Sequence, residues 1–500
     1  MILSCAETRA LEERAFAAGV SAEALMEQAG AQIALAVQQF FPTPGKCTAF
    51  YGKGHNGGDA LVAARLLAGW GWVVELRAAF PVEALSELTA RKLSEFSQDP
   101  HSFHSTSYVF APSGARPHIV LDGLLGTGAG GSLREPISSA CRAINRLRQE
   151  ENAHVFALDL PTGLNGDTGE SDPDAVVADF TLAIGFAKRG LLADAATKNV
   201  GRLAVLPLPQ LVPYSPQNAL DAEVATARGL APLLPRRHFE THKGDYGRIG
   251  IVAGSRGMTG AAILAAEACA RAGGGLISLY VTEDIQPVVA AATSPEVMVR
   301  PIGLLTEVLD AGRDVLAIGP GLGHARSGEV LELILRAEQP MIVDADALNI
   351  LATQIDLLES CAGPRLLTPH PGEMARLDPR FKNRTRSEAV EAFTERYPHA
   401  LLLKGARTLI GQHGRPLSYN PTGSPGLATG GMGDVLTGVC AALAGQGLAL
   451  YDAARVGSWI CGRAAELAIS LGSESEESLT PPALIAHLGR AFHQLRALSH

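Results

Sequence analysis

The chain has 500 residues, 19% of them charged, with a net charge of −9. That length exceeds one core at roughly 100 to 200 residues per domain, and the acidic balance argues against a nucleic-acid surface, which would show a basic patch. The seven cysteines are scattered and never form a CxxC pair, and no apolar run can span a bilayer, so a soluble cytoplasmic protein without a membrane partner is expected.

At the amino terminus Leu3-Ser4-Cys5 has the form of a lipidated cysteine, but no basic and apolar leader precedes it. Ser4 and Glu7 make a helix capping box instead. Short apolar strands, glycine loops and alanine-rich helices then alternate through both halves, which predicts an α/β fold with two parallel, helix-covered sheets. The 54 glycines, where about 7% usage would give roughly 35, collect in the loops after the strands.

Strands are predicted at 47–51, 73–77, 118–122, 154–159, 180–184 and 202–206. The first leads into Gly52-Lys53-Gly54-His55-Asn56-Gly57-Gly58-Asp59, a loop with GxGxxG spacing, and Glu75 stands where a dinucleotide fold keeps its ribose-binding acid. A dehydrogenase is one reading. Asn56 and Asp59 oppose it, because that fingerprint wants bare backbone against pyrophosphate. Asp122 opens DGLLGTG and Asp159 opens DLPTG at two more strand ends. Asn56, Asp122 and Thr162 offer oxygens that suit one hard cation; alternatively each caps its own loop.

Between Leu206 and Arg236 lie six prolines, a density that neither a helix interior nor a central strand accepts. The expected division is a first domain over 1–212, a proline-rich linker over 213–228 and a second domain over 229–500. In the second half strands are predicted at 248–253, 276–281, 315–318, 341–344, 365–368 and 400–404. Their loops include GPGLG from Gly319, Asp344-Ala345-Asp346, TPHPGE from Thr368 and Lys404-Gly405-Ala406-Arg407-Thr408. No GxxxxGK[ST] phosphate loop occurs, so a P-loop enzyme is not expected. Lys404 is either a solvated lysine or a neutraliser of nucleotide charge. Asp344 and Asp346 either help hold magnesium or cap the next helix.

Gly430-Gly431-Met432-Gly433-Asp434, followed by an apolar run, carries the most information. It sets a carboxylate at the mouth of a helix whose first turn is nearly bare backbone, a place that invites phosphate. The task that fits Asp434 is to take or orient the proton of a hydroxyl attacking a terminal phosphoryl group; the plainer reading is a capping Asp.

These motifs together resemble the bifunctional NAD(P)H-hydrate repair enzymes over nearly the whole chain. Leu25-Met26-Glu27-Gln28-Ala29-Gly30, GHNGGD from Gly54, DGLLGTG and DLPTG resemble the epimerase half; HKGDYG from His242, GPGLG, TPHPGE, KGA from Lys404 and GGMGD resemble the dehydratase half. The resemblance implies a Rossmann-like three-layer αβα domain followed by a ribokinase-like α/β domain. It implies epimerisation of R and S hydrates, NADHX and NADPHX, and dehydration of the S form at the expense of ADP with magnesium. A homo-oligomer is also implied.

The resemblance further implies that His55, Asn56, Gly57, Gly58, Asp59, Gly126, Thr127, Gly128, Ala129, Gly130, Gly131, Ser132 and Asp159 contact the hydrate in the first half. Potassium would sit on Asn56, Asp122 and Thr162. Ala261, Gly323, His370 and Asp434 would contact it in the second half, with Lys404 to Thr408 and Gly433 on the nucleotide. Asp434 is the candidate proton carrier for dehydration and Asp159 for epimerisation, with Lys188 as the second candidate for the latter. His55, Ala60 and Thr162 depart from the usual asparagine, glycine and serine; only His55 leaves a contact in doubt. The alternatives are a vitamin or sugar kinase of the ribokinase type, which would leave the first half without a task, and a regulatory protein that binds the cofactor without turnover.

Overall fold

The structure, a computed structural model, describes residues 1–99, 116–128, 131–216, 221–234 and 236–497. The expected contacts at Ala129 and Gly130 lie outside these. The chain forms two compact units, Met1–Leu220 and Asp221–His500.

The first unit contains β1 (Ile2–Leu3), β2 (Lys46–Tyr51), β3 (Val73–Ala78), β4 (His118–Gly123), β5 (His154–Leu158), β6 (Phe180–Ile184), β7 (Ala187–Lys188) and β8 (Arg202–Leu206). Six of them make an all-parallel sheet in the order β3-β2-β4-β5-β6-β8. Successive residues of β4 enter opposite cores: Ile119 and Leu121 join the helices Ala22–Phe40 and His55–Gly69, whereas Val120 joins the helix Ile137–Glu150. That period of two, with both faces apolar, is why the sheet is covered on both sides. The chain order reverses between β2 and β4, so the crevice beyond their carboxyl ends is the place for a ligand. β1 and β7, absent from the sequence expectations, form a separate two-stranded pair with Leu3 opposite Lys188.

The GHNGGD segment is not the loop it was expected to be. The helix starts at His55 with Gly54 as its N-cap, so only Gly52 to Gly54 are loop. Gly58 lies buried where a Cβ would come within 2.5 Å of Met26 Sδ, so the end of the Met26 side chain packs directly on this glycine and ties the Leu25–Gly30 motif to this helix.

The second unit contains β9 (Ala222–Val224), β10 (Arg248–Val252), β11 (Leu276–Val281), β12 (Met298–Pro301), β13 (Val315–Ile318), β14 (Met341–Val343), β15 (Arg365–Leu367), β16 (Ala400–Leu403), β17 (Leu409–Gly411) and β18 (Leu417–Tyr419). They form one sheet in the order β12-β11-β10-β13-β14-β15-β16-β17-β18-β9. Only β17 runs antiparallel to its neighbours. The helices Thr259–Arg271, Met432–Gly445, Leu450–Ser470 and Pro481–Ala497 share one core with the strands, built on Ile251, Leu279, Val439, Ile460 and Leu488.

The expected linker over 213–228 needs correction. Residues 217–231 carry no proline, and among them Ala222–Val224 is an edge strand of the second sheet, followed by the helix Ala227–Leu230. Glu223 is bound by Arg455 and accepts from Ser418 Oγ at 3.2 Å, while Ala225 and Leu230 are in the core.

Candidate active sites

In the first unit the ends of β2, β4 and β5 bring Asn56, Asp122, Thr162 and Asp159 together. Asp122 is fully buried and accepts from Thr162 N–H at 2.8 Å, Thr162 Oγ1 at 2.7 Å and Leu124 N–H at 3.3 Å. Burial nevertheless pushes its carboxyl up to about 6, because it has no ion-pair partner among the described residues to offset desolvation. The Asn56 side chain donates to Leu125 O at 2.8 Å and to Leu158 O at 3.0 Å, yet its own oxygen is buried without a partner. A buried acceptor left unpaired is costly and calls for a donor or a cation. Asp122 thus caps its own loop at Leu124 and also bonds Thr162 across to the neighbouring loop.

Asp159 sits just past β5 with φ +66, a left-handed conformation unusual for a residue with a side chain. Its Oδ1 is bound by Lys188 Nζ and by Ile184 N–H at 3.1 Å. Its Oδ2 faces the glycine loop, 3.9 Å from where a Cβ on Gly126 would lie; the Asn56 amide carbon is 3.7 Å from the same point. Asp59 is buried, and burial together with Asp159 and Glu12 pushes its carboxyl well up. Loop residue Thr127 receives Arg9 Nη1 on its carbonyl at 2.9 Å. His55, Gly128, Gly131 and Ser132 are exposed, whereas Gly57 and Gly58 are buried in the helix. Glu75 on β3 pairs with Arg77 of the same strand and with Lys46 of β2.

In the second unit Asp434 occupies the first turn of the helix Met432–Gly445, whose N-cap Gly431 has φ +90. The positive φ favours glycine at 431, and a Cβ there would also press on Leu264 Cδ1 at 2.8 Å. No side chain caps this helix, which leaves its first N–H groups available to an anion. Asp344, at the end of β14, does not cap its own helix. It accepts instead from Lys404 Nζ at 2.7 Å and Thr437 Oγ1 at 2.7 Å. Lys404 Nζ would lie 3.2 Å from a Cβ on Gly433, so the lysine is at the helix mouth rather than in bulk water.

Burial first, then Asp344 and Asp346, push Asp434 up to about 7, against the opposing pull of Lys404. Asp346 accepts from Gly323 N–H at 2.8 Å, which draws the GPGLG loop in. Gly321 of that loop lies where a Cβ would be 3.0 Å from the Ala261 side chain. His370 caps the helix Pro371–Leu377: its Nδ1 accepts from Gly372 and Glu373 N–H, and Glu373 answers with a bond from His370 N–H at 2.9 Å. Burial raises Glu373, with Lys404 opposing and Asp344 adding to the rise. In the 404–408 loop Arg386 donates to Ala406 O at 2.9 Å, Thr408 Oγ1 to Gly405 O at 3.1 Å, and Arg407 has φ +54.

The family model for NAD(P)H-hydrate dehydratase matches residues 249–485, and the model for the YjeF-related protein N-terminus matches residues 22–190. A bifunctional NAD(P)H-hydrate repair enzyme Nnr from Coxiella burnetii is 35% identical, covering 94% of this chain and 95% of its own length. Its namesake from Escherichia coli is 34% identical, covering 92% and 88%. The chain belongs to the bifunctional NAD(P)H-hydrate repair enzyme family. A solved structure of an ADP/ATP-dependent NAD(P)H-hydrate dehydratase from Bacillus subtilis, co-crystallised with ATP and magnesium, is 29% identical, with a TM-score of 0.49, over 55% of this chain and 100% of that one.

Within this repair-enzyme frame, Glu12 and Thr437 are neighbours of the two sites that sequence reasoning did not select. Glu12 lies on the first helix, before the matched region, and carries no motif; Thr437 is one turn past Asp434, a spacing that places two helix residues on one face.

Proposed function

We propose that the first unit interconverts the R and S hydrates of NADH and NADPH, and that the second dehydrates the S hydrate using ADP, releasing NADH or NADPH, AMP and phosphate. The observation that carries this reading is Asp434, a carboxyl at about 7 on a glycine-mouthed helix beside Lys404.

Hydroxide leaves a ring carbon poorly, whereas phosphate leaves readily. The hydrate hydroxyl attacks the terminal phosphorus of ADP, the bond to the AMP oxygen breaks, and Asp434 takes the hydroxyl proton. The helix N–H groups and Lys404 offset the charge on the transferred group. The ring nitrogen then pushes its lone pair inward, phosphate departs with the C–O electrons, and loss of a proton from the adjacent ring carbon restores the double bond. His370, Ala261 and Gly323 line the hydrate side of this reading, and residues 404–408 with Gly433 the nucleotide side.

Magnesium fits here only with the nucleotide. Among the described residues no three His, Cys, Asp or Glu side chains are placed to hold an ion alone, and Asp344 is taken by Lys404 and Thr437. Held by phosphate oxygens, it would supply charge neutralisation. Potassium fits Asn56, Asp122 and Thr162, where a buried oxygen lacks a donor and a buried carboxylate lacks a counter-charge. There it would supply a fixed positive charge. Epimerisation needs reversible loss and return of the ring hydroxyl, or an equivalent ring opening, with Asp159 as proton carrier and the glycine loop from Gly126 around the hydrate. A homo-oligomer in the cytoplasm belongs to the same reading, and light scattering tests the assembly.

The deciding experiment offers an epimer mixture of NADPH hydrate with ADP and magnesium and follows the near-ultraviolet absorbance of the reduced ring. Full recovery with one AMP and one phosphate per ring supports the proposal. A stable phosphorylated product would identify a kinase, and binding without turnover a regulatory protein.

A further inference from the structure

The first unit holds a buried lysine for which the reaction above has no task. Lys188 is 1% exposed, ion paired with Asp159 Oδ1 and donating to Ile184 O at 3.2 Å. Ile184 N–H donates to the same Asp159 oxygen at 3.1 Å, so this oxygen is occupied from two sides. The other oxygen is the one turned toward Gly126. Asp159 holds this orientation from a backbone conformation, φ +66, that its neighbours must maintain.

The lysine is held in turn. It lies on β7, whose partner β1 places buried Leu3 opposite it, and this amino-terminal strand precedes the region matched by the family model, which begins at residue 22. Lys188, together with Arg9, also acts on Glu12, a second carboxyl in the electrostatic reach of Asp159. A proton carrier has to reach the hydrate. Lys188 is buried behind the oxygen of Asp159 that points away from the glycine loop.

We propose that Lys188 is a positioning residue for epimerisation, clamping Oδ1 of Asp159 so that Oδ2 faces the hydrate, and that it carries no proton itself. The proposal rests on the reading of Asp159 as proton carrier.

The test compares Lys188→Met, Lys188→Arg, Asp159→Asn and the double variant Lys188→Met/Asp159→Asn in the full chain, with kcat and KM for epimerisation measured separately. Lys188→Met should lower kcat about 100-fold with KM changed less than about threefold, because aim rather than binding is lost. Lys188→Arg should recover part of kcat. In the Asp159→Asn background, Lys188→Met should cost less than about threefold more, since the clamp has nothing left to aim. If Lys188→Met leaves Asp159 unpaired and fails to fold, the double variant, neutral at both positions, against Asp159→Asn alone decides the matter. A further loss of about tenfold or more in that background would overturn the clamp and make Lys188 an independent participant. Wild-type kcat in Lys188→Met would overturn it equally. Near-normal epimerisation by Asp159→Asn is a distinct result: it removes the role of Asp159 itself, and the clamp with it.

Discussion

Lys404 and Asp344 stand 60 residues apart in the chain and meet at 2.7 Å. Asp344 is 1% exposed on its side chain and also takes the Thr437 hydroxyl, so one buried carboxylate joins the end of β14, the end of β16 and the helix that carries Asp434. A buried charge is held only when it is paired and hydrogen bonded, and removing one partner typically costs about 3–5 kcal/mol. This arrangement gives the lysine a fixed place beside Gly433, and it gives Asp434 two carboxylate neighbours and one cation.

Asp434→Asn should lower dehydration by roughly 10²- to 10⁴-fold, the usual worth of a positioned general base. The amide keeps the size but cannot take a proton. ADP affinity, measured by calorimetry, should stay close to wild type, and epimerisation should continue. Dehydration within tenfold of wild type would remove Asp434 from the reaction.

The pH dependence follows from the same group. A general base must be ionised, and this one sits at about 7, so kcat/KM for dehydration should rise with pH through that value and level off above it. Lys404 lowers the Asp434 pKa; Lys404→Met should therefore move the rising limb to higher pH as well as weaken ADP binding. A rate profile flat from pH 5 to 9, in steps of about one unit, would separate Asp434 from the rate-limiting step.

Asp122→Ala should weaken epimerisation and abolish its response to potassium while leaving dehydration intact. The check is epimerase activity in potassium chloride against choline chloride at equal ionic strength. Indifference to both the ion and the substitution would mean that Asn56, Asp122 and Thr162 only hold their loops together.

A second-unit fragment that starts at Asp221 should be more stable than one that starts at Gly229. The shorter piece lacks β9 and leaves Arg455 without Glu223, so its melting temperature should be lower by roughly 5–10 °C. With ADP and the epimer mixture, the longer fragment should convert the S hydrate quickly and then slow to spontaneous epimerisation. Adding the first unit, Met1–Leu220, should remove the slow phase without further nucleotide. Equal consumption of both epimers by the fragment alone would contradict the division of labour.

The strands were legible from the sequence wherever an apolar run ended in a glycine loop, and all twelve predicted positions carry strands. Among the described residues six strands were missed, β1, β7, β9, β12, β17 and β18, each two to four residues long. β1, β7 and β9 are two or three residues long, too short for a period of two to declare itself. β12 contains Arg300 and ends in Pro301, which breaks its apolar run, β17 and β18 have three residues each, and β9 lies between prolines.

Local chemistry was therefore determined by the sequence itself: two sheets that are parallel apart from β17, the carboxylate at a bare helix mouth, the oxygen donors at three strand ends. These depend on residues close together in the chain, where spacing alone sets which groups face a ligand. Pairing was decided only in three dimensions. That Asp344 serves Lys404 and Thr437 instead of its own helix, that Thr162 holds Asp122, and that Lys188 occupies one oxygen of Asp159 all join residues from separate elements of the chain. The energy of a buried charge depends on which partner folding brings to it, and that partner leaves no mark in the local pattern.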